Sequence, residues 1–277
     1  MQLRQRRAGI LSAPVAALLG AGVVLTALLG AGCGSGGSDP TARLRGVDLS
    51  PTAGTAGVLA NSYALGGDLN FGQGSPYIYA GQGVSTFGFT TSTATAPGVS
   101  VTYPASPTLR LNNNSFYTAY LIGLAALPDI TLGKPDPRLL QTVVTGDRGA
   151  AAGYTTAASY TDPPSGQANV RILNGAPDAG SVDVLINGKP AFLGVVYPLP
   201  PKRVLPTDPT VPAAIPVTLY QAFPSGTLSV QVNTAGTATV LVPATSISVS
   251  SGRSYTLVVT EPTTAPTYRL YTSSDQE

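Results

Sequence analysis

Apolar and polar positions alternate along most of this chain, and glycine, proline or asparagine breaks the alternation every few residues. A period of two places successive side chains on opposite faces of a strand, so the pattern predicts many short strands. Residues 168–190 show it most clearly. Val170 and Ile172 flank Arg171, a cluster from Asn174 to Gly180 interrupts, Val182-Asp183-Val184-Leu185-Ile186 resumes, and Asn187-Gly188 closes the run. Asn-Gly between apolar runs is a hairpin signal, because both turn positions want positive φ.

The same unit stands upstream at residues 42–62. At an offset of 126, Ala42, Arg45, Pro51, Ala53, Gly54, Val58, Leu59 and Asn61 recur as Ala168, Arg171, Pro177, Ala179, Gly180, Val184, Leu185 and Asn187. Further on, Leu109, Leu111, Tyr117 and Thr118 recur at an offset of 138 as Ile247, Val249, Tyr255 and Thr256. The pattern predicts a tandem duplication of one β module, with an insertion in the second copy. Its place is the proline-dense stretch at about 198–216, which includes Pro198, Pro206, Pro212 and Pro216 and cannot pair within a central strand.

Between these landmarks the first copy predicts strands at Leu69-Asn70-Phe71, Tyr77–Tyr79, Val84–Phe89, Val99–Tyr103, Leu109–Leu111, Phe116–Ile122 and Arg138–Val144. In the second copy, strands are expected at Val217–Tyr220, Leu228–Val232 and Tyr255–Val259, and Arg269-Leu270 echoes Arg138-Leu139. Strands this short, with turn residues between them, point to an all-β sandwich architecture. The expected organisation is a signal peptide at 1–32, a tether at 33–40, a first sandwich at 41–145, a linker at 146–167 and a second sandwich at 168–277. The linker is placed by its small and polar composition, which cannot supply a core.

Composition narrows the possible chemistry. The 277 residues are 43% hydrophobic but only 10% charged, with no His and a single Cys. Cys33 therefore excludes an internal disulfide and any cysteine-based zinc cluster. Lack of His removes the usual general base and the commonest metal ligand. The formal charge is +2. Without the leader arginines Arg4, Arg6 and Arg7 the balance is 12 basic against 13 acidic residues, a net −1, so no electrostatic case for nucleic acid remains.

The N-terminus has its own logic. A basic stretch ending at Arg7 precedes 25 uncharged residues, Ala8 to Gly32, the pattern of a secretory leader. Leu29-Gly30-Ala31-Gly32-Cys33 resembles a bacterial lipobox, although Gly30 holds the place where such motifs prefer Leu. The resemblance implies cleavage before Cys33, lipidation of Cys33, and anchoring through several acyl chains. The alternative is an uncleaved membrane helix, since 25 apolar residues can span a bilayer. Gly34-Ser35-Gly36-Gly37-Ser38 then forms a flexible tether, and Gly34 after the cysteine resembles the signal that sends lipoproteins to the outer membrane of Gram-negative bacteria.

Residues 168–271 resemble a family of domains of unknown function, number 4397. The resemblance rests on Val170-Arg171-Ile172-Leu173-Asn174-Gly175-Ala176-Pro177-Asp178-Ala179, on Val182-Asp183-Val184-Leu185-Ile186-Asn187-Gly188, and on Ser251-Gly252-Arg253-Ser254-Tyr255-Thr256-Leu257-Val258-Val259. In the upstream copy Thr52 and Gly57 replace Asp178 and Asp183, so that copy is degenerate. The resemblance implies two immunoglobulin-like antiparallel sandwiches on the bacterial surface. It transfers no functional residue.

The remaining candidates each have a structural explanation. Asp178 and Asp183 are paired acids inside a motif, but calcium wants six or more oxygens, and a turn cap with a strand-face acid is the simpler expectation. Arg45 and Arg171 recur in both copies. An arginine of this kind packs its stem across a sheet and pairs with an acid, though a functional role is open. Phe71, Tyr77, Tyr79, Phe87 and Phe89 form either a sugar-stacking platform or core. No catalytic, cofactor-binding or metal-binding residue is assigned, and no cofactor is expected. The sequence thus points to a lipid-anchored envelope protein that binds or supports, its partners the membrane and a protein or glycan of the envelope. The alternative is an envelope hydrolase of glycosidase type that uses carboxylates alone.

Overall fold

The computed structural model describes residues 41–81, 83–92, 100–102, 109–111, 115–124, 140–148, 161–198, 218–261 and 268–275. The leader, Cys33, the tether, Arg138-Leu139, most of the linker and the proline-dense stretch from 199 to 217 lie outside the described residues. Residues 39–277 form one compact unit.

The protein is an all-β sandwich. The first half contributes β1 (Thr41–Asp48), β2 (Thr55–Ala60), β3 (Tyr63–Ala64), β4 (Ile78–Gly81), β5 (Gly83–Ser85), β6 (Phe87–Ser92), β7 (Ser100–Thr102), β8 (Leu109–Leu111), β9 (Phe116–Ile122) and β10 (Gln141–Arg148). The second contributes β11 (Gln167–Asn174), a 3₁₀ turn at Pro177–Ala179, β12 (Val182–Ile186), β13 (Lys189–Val195), β14 (Gln221–Pro224), β15 (Gly226–Thr234), β16 (Val240–Val249), β17 (Ser254–Thr260) and β18 (Arg269–Ser274).

Strand order repeats between the halves. One first-half sheet runs β10-β9-β1-β4, and its second-half counterpart runs β18-β17-β11-β14. The other pair runs β3-β2-β6-β7 and β13-β12-β15-β16. The short β5–β8 sheet and the β6–β7 ladder together match the β15–β16 pair, whose register shifts between Val230 and Asn233: Ser85 faces Leu109 where Leu228 faces Ile247. Most neighbours are antiparallel, but β1 with β9 and β11 with β17 are parallel. Parallel neighbours need a long crossover, and here each crossover is the excursion through the opposite sheet.

Register fixes which residues correspond. Arg45 lies opposite Thr118 and Arg171 opposite Thr256, as the offsets of 126 and 138 require. Val58 faces Phe89 where Val184 faces Val232, so Phe89 corresponds to a residue 143 positions on. Tyr117 faces Gly146 where Tyr255 faces Ser274, which makes the last offset 128. Gln141, not Arg138, therefore holds the place of Arg269: Gln141 faces Ile122 as Arg269 faces Thr260. The echo between Arg138-Leu139 and Arg269-Leu270 is a coincidence of spelling, three residues out of register.

Some strand expectations shift. Leu69 makes only an isolated bridge to Ala56, because Gln73 Oε1 accepts from the Asn70 amide and side chain and bends the chain there. The strand expected at Val217–Tyr220 begins instead at Gln221. Ahead of it, Thr218 bonds Ile172 through its amide and its hydroxyl, so a side chain stands in for a ladder partner. The boundary expected at Gly146 falls inside β10, which runs on to Arg148.

Each half has its own core. Leu44, Val58, Phe87, Phe89, Tyr117 and Leu121 pack in the first, and Ile172, Val184, Val230, Val232, Leu257 and Val259 in the second. Each such side chain contributes about 1.5–3 kcal/mol on full burial. The inner strands are unusual in being buried on both faces: every residue of β17, and all but the first of β9 and β11. A strand reads this way when layers cover it on both sides. The second covering layer is the other half, because Val47, Leu49, Tyr120, Ile122 and Val143 pack with Leu173, Tyr197 and Val258 in a third cluster. The sheets stack as four layers. Gly175 sits at this contact, where a Cβ would meet Val258 at 3.0 Å, the Val259 carbonyl at 3.1 Å and Ile122 of the other half at 3.2 Å.

Candidate functional site

Beside this third cluster, the two inner sheets enclose a polar network. Arg45 projects from β1 toward the second half and Arg171 from β11 toward the first, because odd positions on these strands face away from their own cores. Arg45 Nε donates to Thr118 Oγ1 at 2.9 Å, and Arg171 Nε to Thr256 Oγ1 at 2.8 Å. Each threonine hydroxyl passes the chain on. Thr118 Oγ1 donates to Asp147 Oδ2, and Thr256 Oγ1 to Asp275 Oδ2 at 2.7 Å. Each aspartate then takes the arginine of the other half. Arg171 Nη2 donates to Asp147 Oδ1 at 2.7 Å, and Arg45 Nη2 to Asp275 Oδ1 at 3.4 Å.

The result is a closed ring: Arg45, Thr118, Asp147, Arg171, Thr256, Asp275 and back to Arg45. Tyrosines complete it in the same reciprocal way. The Arg45 guanidinium lies 4.6 Å from the Tyr77 ring centroid, and that of Arg171 lies 4.4 Å from Tyr220. Such stacking suits the flat, weakly hydrated guanidinium. The Tyr77 hydroxyl donates to Asp147 Oδ2 at 2.9 Å and the Tyr220 hydroxyl to Asp275 Oδ2 at 2.6 Å. Outside the ring, Arg171 also donates to Thr145 Oγ1 at 3.0 Å and to the Gly146 carbonyl at 2.7 Å, while Arg45 Nη2 donates to Ser273 Oγ.

Both ring aspartates are wholly buried, and Arg171 is 5% exposed. Two cations and two anions cancel, which is how charge survives burial. Burial and the neighbouring Asp147 carboxylate push Asp275 up to about 6, against the pull of Arg171 and Arg45. Burial likewise pushes the Tyr77 and Tyr220 hydroxyls well above the usual phenol range. The Tyr120 hydroxyl is buried beside the ring without a hydrogen-bond partner, and burial raises it too.

The other candidates are dispersed. Asp183 Oδ1 accepts from the Gly194 amide and Oδ2 from the Gly236 amide, both at 2.8 Å, tying β12 to β13 and to the turn that follows β15. Asp178 lies in the 3₁₀ turn, where its amide donates to Glu261 Oε1. Among the described residues no group of three or more acids or cysteines could hold a metal ion. Phe87 and Phe89 are core, Tyr77 belongs to the ring, and Tyr79 is exposed with Arg43 against its ring. The five aromatics form no common platform.

Comparison with known proteins adds one finding. Residues 168–277 match DUF4397, a domain of unknown function. No curated protein matches the chain. The DUF4397 match takes in β11 to β18 and hence Arg171, Tyr220, Thr256 and Asp275. Among the described residues no helix is long and apolar enough to cross a membrane.

Proposed function

We propose that the protein is a lipid-anchored structural or interaction module of the bacterial cell envelope. It consists of two copies of the DUF4397 sandwich, the first degenerate, fastened face to face and leashed through lipidated Cys33. The basic leader, the uncharged stretch to Gly32 and the Gly/Ser tether after Cys33 support export and anchoring. Gly34 favours the outer membrane of a Gram-negative cell. Repetition of strand order and register across the halves supports duplication.

The observation that carries the reading is the closed ring. The arginines that recur in both copies are spent on fastening the halves, which leaves loops and strand edges as the faces open to a partner. The hydrolase alternative needs two carboxyl groups roughly 5–10 Å apart in a cleft. Asp147 and Asp275 do lie against one Arg171 Nη2, at 2.7 and 3.7 Å, but both are wholly buried and take donors from tyrosine and threonine. Their sealing favours fastening over chemistry.

The test is labelled-palmitate incorporation in a bacterial host, with wild type and Cys33→Ala. Label on the wild type alone is the expected result. An unlabelled wild type contradicts the anchor. Release of sugar from purified envelope glycan, abolished by Asp147→Asn, would favour the hydrolase instead.

A further inference from the structure

Among the described residues, two buried acids lie outside the ring, Asp48 and Glu261, and Glu261 accepts from the Asp178 amide. Asp48 ends β1 and is wholly buried, and its Oδ2 has no hydrogen-bond partner. Its counterpart 126 positions on is Asn174: Asp48 faces Leu121 on β9 as Asn174 faces Val259 on β17. The two side chains are held alike. Asp48 Oδ1 accepts from the amide two residues on, Ser50, at 2.9 Å, and Asn174 Oδ1 accepts from Ala176 at 3.1 Å. Six residues further stand Gly54 and Gly180, with φ of 74° and 64°.

The second atom of each side chain differs. Asn174 Nδ2 donates to the Gly180 carbonyl at 2.7 Å and to the Val195 carbonyl at 3.2 Å. The correspondence with Asn174 calls for a donor at the matching position of the first half. An ionised carboxylate offers only acceptors, whereas a protonated one offers an O–H. A buried acceptor without a donor costs free energy that a proton removes.

We propose that Asp48 is carried in the native fold as the neutral carboxylic acid, its Oδ2 proton serving where Asn174 serves with its amide. Burial drives Asp48 up to about 7, opposed only by the Ser50 amide. The groups packed on it are the Ser50 loop, Leu121 of β9, and the Gln73 carbonyl and Gly72 amide that bond its backbone. None of them carries a charge. Asp48 makes the first half sensitive to pH at a position where the second half carries an amide.

The sign follows from linkage. Below pH 4 the acid is protonated folded or unfolded. Between about pH 4 and 7 only the folded state keeps the proton, so stability falls as pH rises, and it levels once both states are ionised. The experiment is urea unfolding of the full chain from pH 4 to 8, wild type beside Asp48→Asn. The ratio of the two unfolding constants is expected to grow by up to about tenfold per pH unit to near pH 7, then flatten. Titration of Asp275 is common to both proteins and leaves the ratio. A ratio that stays constant overturns the proposal. If Asp48→Asn does not fold, the ¹³C resonance of the wild-type Asp48 carboxyl decides: a protonated shift at pH 5 is expected, and an ionised one overturns it.

Discussion

Arg171 Nη2 lies 2.7 Å from Asp147 Oδ1, and the two residues belong to different halves of the chain. Neither group has water to fall back on, since Arg171 is 5% exposed and Asp147 is wholly buried. Removing one member of such a pair strands the other and costs about 3–5 kcal/mol. Asp147→Ala and Arg171→Ala are each expected to lower stability by that order in guanidinium unfolding. The double variant should cost clearly less than the two together, because neither charge is then left alone. Additive losses would show that the pair is not coupled.

Reciprocity gives a sharper expectation. Thr118 and Thr256 each accept from an arginine and donate to an aspartate. Thr118→Val and Thr256→Val keep the shape and break the ring at matching points. Each is expected to cost about 1–3 kcal/mol, and the two losses should be similar. A large loss from one and none from the other would contradict the ring.

The apolar side of the same interface is tested at Gly175. A side chain there meets Val258, the Val259 carbonyl and Ile122, and overpacking of this kind costs about 1–3 kcal/mol. Gly175→Val is expected to destabilise the protein, with part of the loss recovered in combination with Ile122→Ala. A harmless Gly175→Val would mean that the halves do not approach there as described.

In the second half, the Asp183 carboxylate accepts from two backbone amides. Asp183→Ala leaves the Gly194 and Gly236 amides without their acceptor. Faster hydrogen exchange at those two amides is expected, with a loss of roughly 1–2 kcal/mol. Added calcium should leave the Tm of the wild type unchanged. A calcium-dependent rise in Tm would instead favour the calcium-site alternative for Asp178 and Asp183.

Two buried carboxyls, Asp48 and Asp275, sit above the ordinary aspartate range, both through burial. A raised acid contributes stability that is complete below about pH 4 and is lost as pH rises through its folded-state value. Between pH 4 and 7 these two groups therefore lower stability. Their share is read as the amount by which Asp48→Asn and Asp275→Asn flatten the pH dependence of urea unfolding.

The arginines and the repeat were legible because Arg45 and Arg171 keep one offset inside an alternating, turn-bounded pattern. Their acids were not. Asp147 and Asp275 correspond only at the offset of 128, Tyr77 and Tyr220 only at 143, and changes in loop length between strands erase both relationships from a simple comparison. Asp147 was further hidden by lying where the composition turns small and polar, the mark of a linker. Its partners come from the far end of the chain, so no local pattern records them. The double burial of Phe116–Ile122 was visible as a run of apolar and aromatic residues, but a single sequence does not say that the covering layer is a second sandwich.

Hydrogen exchange in Asp147→Asn tests the fastening of the halves most directly, because the change lies in β10 of the first half. The account expects faster exchange at the amides of β11 and β17, in the second half, as well as in β9 and β10. Exchange that quickens only in the first half, with β11 and β17 as protected as before, would contradict it.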